Sequence, residues 1–231
     1  MELILGLGES GAPSTITIGN FDGLHLGHQA LLHRLDAVAR PERLNSAAAS
    51  GAGSRSEPEG GRAGQPGLRR VVLTFEPLPR EVFSPQPVPR LTSLREKAAW
   101  LAASNLVDEL RILRFNPALA ALPAEDFVRE ILVQRLSARH VLIGDDFRFG
   151  HRRGGDFALL QRMGAEHGFA VEATPQVSLD GERVSSTRVR AALTEGRLMD
   201  AARLLGRPYS LCARVHPVQG EVLAPERQVQ G

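Results

Sequence analysis

The sequence predicts an α/β protein built on a doubly wound parallel sheet. Three observations carry that prediction. Short runs of β-branched and aliphatic residues alternate with stretches whose leucines and valines recur at helical spacing. The run "RRVVLTF" at 69–75 is apolar in the manner of a strand covered on both faces. Two polar, glycine-rich loops, 20–27 and 144–155, follow strands directly, which in such sheets puts them at the carboxyl edge where ligands bind.

The first strand falls at 15–19, "TITIG", where β-branched residues end at a glycine. From His25 to Arg40, Leu26, Leu31, Leu32, Leu35 and Val38 keep the spacing of a helix. Residues 41–67 are rich in Gly, Ala, Ser, Pro and Arg without an apolar period, and read as a flexible low-complexity surface insertion. The strand at 69–75 runs into a proline-rich loop, "EPLPREVFSPQPVPR". The helix "SLREKAAWLAA" then opens with Ser93 and Glu96 at capping-box spacing. A strand at 107–113, a helix at 124–136, a strand at 140–144, a helix at 156–168 and the strand "FAVEAT" follow in turn. The stretch "VSSTRVRAALTEGRL" is polar at its start and helical beyond it.

Composition narrows the class. Of the 231 residues 42% are hydrophobic and 23% charged, the proportions of a folded globular chain. The net charge of +2, from 28 basic and 26 acidic residues, gives no argument for nucleic acid. A single cysteine, Cys212, excludes an intrachain disulfide and a thiolate metal site. The first residues have no basic n-region and only a five-residue apolar run, and no segment approaches the ~20 apolar residues of a membrane span. The simplest reading is a soluble protein of the reducing cytoplasm.

The chemistry concentrates in "TIGNFDGLHLGH", Thr17 to His28. His25 and His28 stand three residues apart in the first turn of a helix, so their rings project on one side. Unpaired amides and the positive end of the helix dipole make that turn an anion site. Gly23 and Gly27 let backbone approach a ligand closely. A metal pair is the rival reading, but three protein ligands are usual and no third is near; two surface histidines at a helix start is the other.

This stretch resembles the nucleotidyltransferase signature H-x-G-H in the form used by bacterial FAD synthetases. That family joins an FMN adenylyltransferase module to a C-terminal riboflavin kinase module. Similar stretches continue in order through "LTFEPLPREVF", "RLTSLREKAAWL", "RFNPALAALPAEDFV", "LIGDDFRFGHRRGGDF" and "VSSTRVRAAL", over roughly residues 15–212 apart from the insertion. The resemblance implies a Rossmann-like nucleotidyltransferase domain over 1–205 and a truncated start of a riboflavin kinase domain, a short β-barrel remnant, over 206–231. It implies that His25 and His28 contact the ATP phosphates. Gly19, Asn20, Phe21, Asp22 and Gly23 match the turn that forms the floor of the nucleotide site. Ser186, Thr187 and Arg188 match a second signature that meets the outer phosphates; an ordinary N-cap is the plainer alternative for these residues. Asp146, Phe147 and Arg148 match a loop that binds adenosine, flavin or both, with Phe147 and Phe149 alternatively packed as core. Arg152 and Arg153 fit a solvated basic face. The family often has F-x-P-H-P where this chain has "FEPLP", so Leu78 stands at the histidine position.

What the resemblance implies for activity is transfer of AMP from ATP to the phosphate of FMN, giving FAD and pyrophosphate, with Mg2+ accompanying ATP. The partners would be these small molecules, with neither nucleic acid nor membrane, and no side chain is assigned to a resident metal. Riboflavin kinase activity is expected to be absent, because the residues after 205 are too few for a six-stranded barrel at ~5–6 residues per strand. Transfer to a different phosphate, such as phosphopantetheine, and a non-catalytic ATP- or flavin-binding remnant are the competing readings.

Overall fold

The computed structural model describes residues 1–8, 11–40, 67–84 and 88–212. Nearly all of the low-complexity insertion, 41–66, and most of the expected barrel remnant, 213–231, lie outside the described residues.

Six strands form one sheet: β1 (Glu2–Leu5), β2 (Ser14–Ile18), β3 (Arg69–Glu76), β4 (Glu109–Arg114), β5 (Ala138–Gly144) and β6 (Ala170–Thr174). All neighbours are parallel, in the order β1-β4-β3-β2-β5-β6. From β2 the chain steps to β3 and β4 on one side, then recrosses to β5 and β6 on the other. The order therefore reverses between β2 and β5, and their carboxyl ends flank the switch point of a doubly wound sheet. Central β2, "STITI", is buried at every position, as a strand covered on both faces must be.

Helices close both faces. On one, α1 (Leu26–Ala39) and the later helix α3 (Leu94–Ser104) bring Leu31, Leu32, Leu35 and Leu101 onto Val72, Leu110 and Leu142. On the other, Phe127, Val128, Ile131 and Leu132, with Leu160 and Met163 of α6 (Phe157–His167), cover Ile16, Val71, Val141 and Ile143. A smaller cluster of Leu91, Val184, Val189, Leu204 and Leu205 seats α7 (Ser186–Thr194) and α8 (Leu198–Leu205).

Local signals set the helix ends. The Ser93 hydroxyl accepts from the Glu96 amide at 3.2 Å while the Glu96 carboxylate accepts from the Ser93 amide at 2.7 Å, so the capping box forms. Asp156 caps α6 by accepting from the Leu159 amide at 2.9 Å.

Several elements differ from the sequence reading. The short apolar run near the start is the edge strand β1, with Leu3 and Leu5 exposed. The proline-rich loop contains one helical turn, α2 (Pro79–Phe83), and Pro117–Ala121 forms another, α4; each has its proline in the first turn, where the missing N–H costs nothing. The helix expected at 124–136 begins as α5 (Ala124–Asp126) and continues as a π-helical coil over Phe127–Arg135. A hairpin of β7 (Ser178–Leu179) and β8 (Glu182–Arg183) turns at Asp180–Gly181. Both turn residues have positive φ, the geometry an Asp-Gly pair favours in a two-residue hairpin. Among the described residues no helix is long and apolar enough to cross a membrane.

Leu35 is fully buried between α1 and the sheet. Leu35→Ala should cost about 2–5 kcal/mol, read as a lower urea midpoint; a cost under about 1 kcal/mol would mean that α1 is not locked by that contact.

Candidate active site

A cleft of about 200 Å³ opens at the carboxyl ends of β2, β5 and β6. Gly19 and Phe21 from the turn after β2 and His25, Gly27 and His28 from the start of α1 form one wall. Asp145, Asp146 and Phe147 after β5 form another, and Arg183, Val184 and Ser185 close it from the approach to α7. The starts of α1 and α7 thus border one cavity, each bringing the unpaired amides and positive dipole of a helix N-terminus.

The histidines are stacked, with ring centroids 3.7 Å apart and planes 20° apart. His25 is also the N-cap of α1: its Nδ1 accepts from the His28 amide at 3.4 Å. That bond assigns the neutral-form proton to Nε2. A Cβ at Gly27 would lie 3.1 Å from the His25 ring, so a larger residue there would push the ring by a few tenths of an ångström. Burial, then the nearby Arg183 charge, lowers the His25 imidazole from 6.5 to about 4. Burial, then His25, then Lys97 holds His28 well below its ordinary value. Both rings are neutral at pH 7. His28 Nδ1 is buried without a hydrogen-bond partner among the described residues.

Asp22 does not reach the cleft. Its carboxylate is buried and accepts from the Leu91 and Thr92 amides at 3.0 and 3.1 Å, and it pairs with Arg190 of α7. Ser186 donates to the Asp22 carbonyl at 2.8 Å, a second tie between the turn and α7. Gly23, at φ 85°, has its amide on the Thr92 hydroxyl at 3.1 Å, and a Cβ there would lie 2.7 Å from Leu91. Asn20 gives its carbonyl to Lys97 at 2.6 Å. These three residues of the expected floor build the turn from behind, while Gly19 and Phe21 face the cavity.

The second signature also divides. Ser185, the N-cap of α7, lines the cleft, whereas Ser186, turned to the Asp22 carbonyl, and the exposed Thr187 are not part of its lining. Arg188 is turned to the hairpin, donating to the Leu179 and Glu182 carbonyls at 2.9 and 3.0 Å. Arg183, which the sequence reading did not single out, lines the cleft and pairs with Asp146 through two bonds of 2.8 and 2.9 Å. That pairing lowers the Asp146 carboxyl. Its one signal in the sequence was the Asp180–Gly181 turn, which carries Arg183 back toward the cavity.

Phe147 faces the cleft, whereas Phe149 is buried against Phe127 and Phe147. Arg148 pairs with Asp156 at 2.9 Å on the exposed side of the loop, and Arg152 and Arg153 are exposed. Leu78, at the position of the family's histidine, is buried as the residue preceding α2. From the chain after α8, Arg207 donates to the Gly23 carbonyl at 2.9 Å and lies 4.0 Å over the Trp100 ring, while the Cys212 amide donates to Glu96 at 2.8 Å.

Comparison with known proteins places the chain. The model of the FAD synthetase family matches residues 9–50 and 60–188. A bifunctional riboflavin kinase/FMN adenylyltransferase of Pseudomonas fluorescens is 43% identical over 208 residues, 90% of this chain and 58% of that protein. One from Escherichia coli K12 is 40% identical over 228 residues, 96% of this chain and 64% of that protein. The chain therefore spans about six tenths of the length of these relatives. A solved structure titled as a macrolide-efflux protein from Streptococcus pneumoniae shares the fold, with a TM-score of 0.70 at 24% identity over 90% of this chain and 70% of that one. The matched family model, running through the turn, the stacked histidines and the start of α7, shows that the chain belongs to the FAD synthetase family.

Proposed function

We propose that this chain is an FMN adenylyltransferase, transferring AMP from ATP to FMN. The observation that carries the reading is the single cleft onto which the starts of α1 and α7 both open, with two stacked, neutral imidazoles at its wall. An oxygen of the FMN phosphate attacks the α-phosphorus of ATP, the bond from that phosphorus to the β-phosphate bridge oxygen breaks, and pyrophosphate leaves. The nucleophile arrives ionised, so no side-chain nucleophile or strong base is needed. Rate comes from alignment and from donors aimed at developing charge. Here those donors are His25 through Nε2–H, His28, the helix-start amides and the Ser185 hydroxyl. Arg183 adds a guanidinium at the rim, held ready by Asp146.

The flavin ring needs an apolar platform. Phe75, Phe115 and Phe83 stand edge to face, with centroids 5.9 and 5.6 Å apart, along the carboxyl edge of β3 and β4, and Phe83 is largely exposed. Such a ledge suits an aromatic ligand.

Mg2+ finds no resident cage among the described residues, where no group of three or more His, Cys, Asp or Glu could hold a metal. The cleft's two carboxylates are engaged, Asp145 by Gln176 and Asp146 by Arg183. Magnesium would enter on the phosphates of ATP, whose oxygens suit it. Cytoplasmic residence is our reading from the absence of disulfide chemistry and from the substrates.

Two outcomes test this account. Purified chain incubated with FMN, ATP and Mg2+ should yield FAD by chromatography. His28→Ala should lower kcat about 10²–10³-fold, with KM for FMN within about threefold, because its contact strengthens as charge develops; an unchanged kcat would remove His28 from the chemistry.

A third outcome concerns pH. His25 stays neutral in the folded chain down to about 4 but protonates near 6.5 when unfolded. Unfolding therefore takes up a proton between those values, and stability contributed above 6.5 is lost as pH falls toward 4, by about 3 kcal/mol at most. His25→Asn keeps an N-cap acceptor. Its urea midpoint should fall less steeply than that of the parent chain across this window; parallel slopes would sink the assignment.

A further inference from the structure

Of the 28 basic residues in this chain, 27 are arginine and one is lysine, Lys97. It lies in α3 and is 2% exposed. Its ammonium donates to the Asn20 carbonyl at 2.6 Å and meets the Thr74 hydroxyl at 3.4 Å; that hydroxyl lies 3.4 Å from the same carbonyl. The carboxylates facing it are committed elsewhere: Asp22 of the turn pairs with Arg190, and Glu76 of β3 and Glu81 of α2 pair with Arg90. Among the described residues none of them comes within ion-pair distance of the ammonium. A buried cation without a contacting counter-ion is costly and needs a reason.

The position supplies one. Asn20 precedes Phe21, which is fully buried in the left-handed region at φ 48°. The Phe21 ring lies 5.1 Å from the His28 ring. A compact ammonium can end against one carbonyl, where a planar five-donor guanidinium cannot.

We propose that Lys97 is a positioning residue of the phosphate site. Bonded to the Asn20 carbonyl, it fixes the turn at Phe21 and with it the His28 ring, and it sets a positive charge behind the wall that an incoming phosphate faces. The proposal deepens the reading above and rests on it for the identity of the anion. The charge has a second effect. His28 faces His25 and Lys97, and Lys97 adds to the burial that keeps its imidazole neutral. Burial holds the Lys97 ammonium below its ordinary value; of the charged groups that face it, Asp22, Glu76 and Glu81 favour its charged form and Arg90 opposes it.

The test uses the full chain and two readouts: NMR titration of the His28 imidazole, and steady-state FAD formation. In the parent chain the His28 imidazole should titrate well below its ordinary 6.5. In Lys97→Met it should titrate at higher pH, and kcat should fall about a hundredfold with KM for FMN nearly unchanged. Lys97→Arg keeps the charge but not the reach and should not restore kcat. Identical His28 titrations in a folded Lys97→Met, an unchanged kcat, or full activity in Lys97→Arg would each overturn the proposal. Should Lys97→Met fail to fold, Lys97→Arg still decides: full FAD formation in it refutes a need for the compact ammonium. If the parent chain forms no FAD, the functional reading falls, while the His28 titration compared between the parent and Lys97→Met still judges Lys97.

Discussion

One buried carboxylate holds the site in register. Asp22 joins three segments distant in sequence: the turn after β2, the bend at 91–92 and helix α7. Two amides and a guanidinium answer its charge, which is how a buried carboxylate becomes tolerable. Removing one partner of such a pair typically costs about 3–5 kcal/mol, because the other charge is then stranded. The two helix starts face one cavity because this carboxylate, with the Ser186 bond to the Asp22 carbonyl, ties them together. The aspartate of the signature is therefore architectural here, while its histidines line the cleft.

The electrostatics of the cleft follow from that geometry. It is no strongly charged hole: its histidines are neutral and the Arg183 guanidinium at its lining is matched by Asp146. What it offers is oriented N–H and O–H dipoles, with basic groups whose charge can rise when an anion arrives. Burial holds the imidazoles neutral in the free chain; a bound phosphate acts in the opposite sense. A site of this kind interacts more strongly with a charge that develops than with one already spread, the condition for accelerating transfer.

Much of this was legible in the residues, for identifiable reasons. The long apolar runs and helical periods gave the alternation of strands and helices, and Ser93, Glu96 and Asp156 marked helix starts because capping is a local interaction. The hairpin at 178–183 escaped because two-residue strands hold no period; only its Asp-Gly turn spoke for it. Edge strand β1 was hidden because it buries so little. At the site, spacing indicated that His25 and His28 share a side, but not that their rings stack or that His25 caps its own helix. The inward turn of Asp22 and the buried end of Lys97 depend on partners about 70 or more positions away, which no local pattern records.

The chain beyond α8 is strapped to this same corner. Arg207 hydrogen-bonds the Gly23 and Leu24 carbonyls, Gln29 reaches both Leu24 and Leu205, and Trp100 supports the guanidinium from beneath. Peeling residues 206–212 away would take the Arg207 donor from the Gly23 carbonyl and leave Leu24 held by Gln29 alone, so a pull on that strap is transmitted to the loop preceding the histidines. Force or binding energy applied at the far side of α8 thus has a direct mechanical route to the cleft.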